Sequence, residues 1–147
     1  MTVLNAKSLF SSNNSYASLA LRLPAGAIFA AHGAQKLFAW FGGYGLDGTG
    51  QYMASIGLEP GYLMALLAGS AEFFGGLALI AGLLVRPAAA VLALTMLVAI
   101  GLAHWAGGFF LSNGGYEYAL ALLGMSVALA VQGGGRYALD NVLASKL

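Results

Sequence analysis

A histidine, an amide and an ammonium group fall close together in an otherwise apolar stretch, Ala31-His32-Gly33-Ala34-Gln35-Lys36-Leu37-Phe38-Ala39-Trp40-Phe41-Gly42-Gly43. His32 and Lys36 are four residues apart and Gln35 is three from His32, so in a helix all three share one face. Lipid cannot solvate such a face, which must turn towards other protein. The rest of the chain has to supply its partners.

The surroundings are a membrane-type sequence. Hydrophobic residues make up 60% of the chain and charged residues 7%, where a soluble domain carries about a quarter charged residues. Mean hydropathy is +0.82. These values predict one integral membrane domain with no soluble module. The net charge of +1 gives no electrostatic basis for binding nucleic acid. With no cysteine, disulfides, thiol redox chemistry and cysteine-ligated metal are excluded within this chain. Lys7 precedes a polar Ser-Ser-Asn-Asn-Ser run rather than an apolar core, so no cleavable signal is expected.

The hydrophobic pattern predicts an all-α chain, a four-helix transmembrane bundle with a short interfacial helix between its first two spans. After a polar surface segment, 1–16, the spans fall at about 18–40, 60–84, 87–105 and 116–132. Arg22 and Lys36 lie ~21 Å apart on a helix, less than the ~30 Å hydrocarbon core. Arg22 is therefore expected to snorkel to one side and Lys36 to snorkel to the other or find an anion. Between Gly42 and Gly61, Tyr52, Met53 and Ile56 at helical spacing predict the interfacial helix, capped by Thr49 and ended by Gly57. Pro60 suits the first turn of the second span, and Arg86-Pro87 reads as a tight turn opening the third. Gly133-Gly134-Gly135 ends the fourth, before a short tail.

Four spans place both termini on one side. Lys7, Arg22, Arg86, Arg136 and Lys146 collect there, and the opposite side has Lys36 with Asp47 and Glu59. The positive-inside rule puts the termini in the cytoplasm. His32 and Glu72 then lie near mid-membrane and Lys36 ~6 Å further out. His104 and Glu117 lie near the outer ends of the third and fourth spans. All four spans thus send polar groups into the outer half of one bundle.

Each group has a structural explanation of its own. Glu72 can pair with Lys36 or His32 to hold helices together, Glu117 can sit at a helix N-terminus, and His104 can be an interfacial histidine. The phenylalanines 29, 73, 74, 109 and 110 can be core or lipid-facing residues. Taken together they fit a site for a planar redox-active ring such as a quinone. In that site His32 and Glu72 are the proton-exchanging, catalytic pair. Gln35, Lys36, His104, Glu117, Phe73 and Phe29 complete it as ligand-binding residues, with Gly33, Gly69 and Gly76 leaving room for the ring. His32 and His104 as axial haem ligands are disfavoured by their different depths. No local spacing supports a metal site.

At His-Gly-x-Gln-Lys-Leu-Phe-x-Trp-Phe-Gly-Gly, from His32, the chain resembles the DoxX family of small bacterial four-helix membrane proteins. Further matches follow in order: Gly48-Thr49, Gly57-Leu58-x-Pro60, Ala68-Gly69-x-x-Glu72-x-x-Gly75-Gly76, Gly82-Leu83-x-x-Arg86, Gly108-Phe109-Phe110 and Gly115-x-Glu117-Tyr118. The resemblance covers about 22–140. It implies four transmembrane helices in the cytoplasmic (inner) membrane and a link to quinone redox chemistry and oxidative stress. The expected function is a quinone- or phenol-binding component of a membrane redox system. The alternatives are a non-catalytic scaffold that recruits soluble redox enzymes, or a small permease for hydrophobic metabolites. Expected partners are the bilayer, a hydrophobic small molecule and soluble redox enzymes or further copies of the chain.

Overall fold

The computed structural model describes Phe10, Ser12 and residues 14–146. The expected polar segment 1–16 lies largely outside these. Every regular element among the described residues is helical. Four long helices pack side by side: α1 (Tyr16–Phe38), α3 (Gly61–Ala81), α4 (Val85–Val98) and α5 (Glu117–Gln132). A short α2 (Gly45–Ser55) lies between the first two, and α6 (Leu139–Ala144) follows the last. The run Gly61–Ala81 and the longer run Val85–Gly107 are long and apolar enough to cross a membrane. The apolar α5 has 16 residues, and α1, at 23, carries Arg22, His32, Gln35 and Lys36.

The helix ends follow their local chemistry. The Ser15 side chain accepts the Ala17 N–H at the start of α1. Gly82, at φ +70°, ends α3 in the left-handed conformation with its N–H bonded to Leu79. Some expected boundaries differ. Thr49 lies inside α2 rather than capping it, because Gly45 already starts the helix. Pro60 is the N-cap of α3, and Arg86 and Pro87 sit in the first turn of α4, the turn itself being Gly82–Leu84. Beyond Val98 the third long helix changes to π-helical winding over Ala99–His104, then to a 3-10 turn at Trp105–Gly107.

The closest approach is between α1 and α3, which run antiparallel with glycine at each crossing point. A Cβ on Gly33 would overlap the Phe73 backbone, and one on Gly76 would overlap the Ala30 nitrogen. Small residues let backbones touch where lipid supplies no hydrophobic drive for association. These glycines therefore leave no room for a ligand, contrary to the expectation from sequence: the neighbouring helix fills the space. Phe29, Leu79, Leu92, Leu122 and Leu129 form the core shared by the four long helices. Leu92 also covers Gly75, joining α4 to α3 near their connection.

At the end of the bundle that holds the described part of the N-terminal segment and α6, charge is neutralised by backbone. Arg22, 2% exposed, does not snorkel. Its guanidinium donates to the carbonyls of Leu79 (3.0 Å), Ile80 (2.6 Å), Gly134 (2.9 Å) and Arg136 (3.3 Å). Arg86 donates in the same way to Ala130 and Val131 in the last turn of α5. Both cations thus meet helix C-terminal carbonyls, which carry partial negative charge. Asp140 does the reverse, accepting the Leu84 and Val85 N–H groups at 2.7 and 2.9 Å where α4 begins.

Candidate ligand cavity

The polar residues of α1 reach a large cavity. Phe29, His32 and Lys36 recur at helical spacing and line one wall. Met64, Leu67, Ala68, Ala71 and Glu72 of α3 form the next. Val91, Thr95, Met96, Val98 and Ala99 lead to the π-helical segment, from which Ala103 and His104 face inward. Tyr118, Ala119 and Leu122 of α5 close the ring, and Tyr52 and Met53 of α2, with Ile56 just after it, line the end. The cavity volume is about 740 Å³.

Lys36 Nζ lies 2.6 Å from Glu72 Oε2, with side-chain exposures of 23% and 6%. The ammonium that α1 carries is thereby neutralised by the acid of α3. His32 stands one turn inward, its ring 6.2 Å from that of Tyr118. No hydrogen bond engages the His32 imidazole among the described residues. His104 Nδ1 is 3.0 Å from the Gly114 carbonyl, which fixes the ring and leaves its other nitrogen available. Lys36, Thr49 and Tyr52 also line a second cavity of about 510 Å³, formed with Gln35, Gly43 and Tyr44.

The expected site residues divide accordingly. His32, Glu72, Lys36, His104 and Phe29 meet at the large cavity. Gln35 faces the second cavity and donates to the Phe41 carbonyl at 3.2 Å. Glu117 turns to the preceding loop, where it accepts the Leu111 N–H at 2.7 Å. Phe73 lies over Gly33 and packs edge-on against Phe38, with ring centroids 5.2 Å apart. It adjoins Glu72 in sequence and so points about 100° away around the helix. His32 and His104 both line this cavity. Tyr118 was not singled out from sequence. The signal for it was its place with Ala119 and Leu122 on one stripe of α5, from which Glu117 is absent.

This arrangement can hold a flat, uncharged molecule. The walls are mainly aliphatic, the one ion pair is closed on itself, and an imidazole and a phenol stand ready to exchange hydrogen bonds.

Comparison with known proteins agrees with these elements. The DoxX family's sequence profile matches residues 17–105, from the first turn of α1 through the π-helical segment. The chain belongs to the DoxX family, a membrane-associated family. It is similar to the "Putative oxidoreductase CatD" of Bacillus subtilis (strain 168), with 35% identity over 123 residues and 84% of each chain covered. No solved structure matches it significantly.

Proposed function

We propose that this chain is a four-span inner-membrane protein that binds a quinone- or phenol-like ring beside His32 and Glu72, as a component of a membrane redox system. The observation that carries the reading is an imidazole with no hydrogen-bond partner among the described residues, lining an apolar cavity next to a neutralised Lys36–Glu72 pair. A charged guest would have to compete with that pair, whereas a neutral carbonyl or hydroxyl accepts or donates at His32 without disturbing it. Phe29 and Tyr118 flank the space for a ring. Reduction of a quinone to a hydroquinone takes up two electrons and two protons. The side chains of this cavity serve the proton half, with His32 as the nearest exchangeable group and the adjoining cavity at Gln35 and Lys36 as the approach from outside. The electrons come from a partner reductase. Such a role agrees with the name of the Bacillus relative.

The ligand test uses purified protein in detergent and a water-soluble benzoquinone, followed by quenching of Trp40 and Trp105. Wild type binds, and His32→Ala binds about tenfold more weakly, the worth of one hydrogen bond. Glu72→Gln, which breaks the neutral pair, also weakens binding. Equal binding by wild type and both variants discards the site and leaves the scaffold reading.

The orientation is proposed from charge. Arg22, Arg86, Arg136 and Lys146, with Asp140, lie at the end of the bundle with α6, and Lys36, with Asp47, Glu59 and Glu117, lies towards the other. The end with α6 is therefore cytoplasmic. The chain has no cysteine, so single cysteines report cleanly. In intact cells Asp47→Cys and Asn113→Cys react with an impermeant thiol reagent and Ser145→Cys does not. Labelling at Ser145→Cys alone reverses the orientation.

A further inference from the structure

We infer that the molecule held in the large cavity comes from the bilayer sideways, through a slot between α3 and α4, and carries an aliphatic tail that remains in the slot. This rests on the reading that a ring sits at His32, and adds what else the guest must carry.

The two helices touch where Leu92 covers Gly75. Beyond that contact the same facing rows continue, with Ala71 and Ala68 on α3, Thr95 on α4 and Ala99 at the start of the π-helical segment. These residues line the cavity instead of one another. Four further lining residues flank the gap and are strongly exposed: Leu67 at 55%, Val91 at 50%, Leu94 at 62% and Val98 at 39%. A side chain that both lines a cavity and is open to the outside marks its mouth. Tyr52 and Leu111, at 50% and 52%, mark a second opening at the α2 end; the four residues of the gap between α3 and α4 are all aliphatic, so this mouth faces hydrocarbon rather than water.

Volume and charge narrow the guest. A cavity of about 150 Å³ suffices for benzene, and this one is about 740 Å³. A ring alone would leave most of it empty, and a flexible chain running from the ring to the mouth would fill it. The head must be uncharged, because Lys36 is already matched by Glu72. Leu67, Val91, Leu94 and Val98 offer no cation to a phosphate or carboxylate. The chemistry is that of a neutral ring with a hydrocarbon tail, taken from the membrane, and not that of a fatty acid or a phospholipid.

The test compares two probes on detergent-purified protein by tryptophan quenching: a dimethoxy-methyl-benzoquinone with no side chain, and the same ring bearing a ten-carbon chain. Ala68→Phe and Ala99→Phe fill the slot from opposite walls, and melting and elution report whether each folds. The affinity ratio of tailed to tailless ring is compared among proteins, so partition of the tail into detergent cancels. In both variants the ratio falls at least about tenfold from the wild-type value. Either variant alone decides the matter if the other does not fold. An unchanged ratio overturns the slot. If the tailless ring still binds and still depends on His32, the ring site survives that result. No binding of either probe by wild type overturns both.

Discussion

Arg22→Ala lowers stability by about 4 kcal/mol or more, measured by thermal or denaturant unfolding in detergent. The guanidinium is buried, and one side chain serves the carbonyls of Leu79, Ile80, Gly134 and Arg136. Its removal takes this donor from Ile80, Gly134 and Arg136, the Leu79 carbonyl keeping the Gly82 N–H, and opens a cavity where three parts of the chain meet. Arg22→Lys rescues little, since an ammonium lacks the planar fork that reaches carbonyls on both α3 and the segment after α5. Arg22→Met keeps most of the volume, so its loss isolates the hydrogen bonds from the packing. Stability of Arg22→Met equal to wild type would show the carbonyls satisfied in another way.

Glu72→Ala costs about 3 kcal/mol, at the lower end of the range for breaking a buried pair because Lys36 is part-exposed. Glu59→Ala, in the exposed connection before α3, changes stability by no more than about 0.5 kcal/mol. The double variant Lys36→Met with Glu72→Leu recovers most of the loss, because two apolar groups replace two charges without stranding either. Failure of the double variant to recover would assign the cost to packing. Equal losses from Glu72→Ala and Glu59→Ala would mean that the pair contributes nothing.

That Glu72 would pair with Lys36 or His32 was legible in the sequence because charge inside an apolar helix admits few solutions. Shared depth pointed to His32, and the structure gives the pair to Lys36, one turn further along. The same reasoning failed for Arg22. Its partners are main-chain carbonyls at helix ends, which a sequence of side chains does not display, so the arginine looked like an ordinary snorkelling residue. Gly33, Gly69 and Gly76 were recognised as places of close approach, but sequence could not say whether a ligand or a helix approaches. The assignment of Phe73 to the site ignored its angle from Glu72, whereas Phe29, three residues before His32, shares the histidine's face. The π-helical winding at Ala99–His104, which carries Ala103 and His104 at the cavity wall, has no mark in the residues themselves. Such winding concentrates at functional sites in helices generally.

The clamp at Arg22 also bears on how the chain is assembled. Two of its four acceptors, Gly134 and Arg136, are made more than a hundred residues after it. Asp140, which caps α4, comes later still. During synthesis α1 is made well before these partners. Until residues 134–136 follow, its guanidinium has only the Leu79 and Ile80 carbonyls of α3 to meet, and the rest of its hydrogen-bonding capacity must be held by water, lipid headgroups or the insertion machinery. The segment 134–140 therefore closes the bundle, and a chain stopped just after α5 would have its four long helices made but its Arg22 clamp half complete.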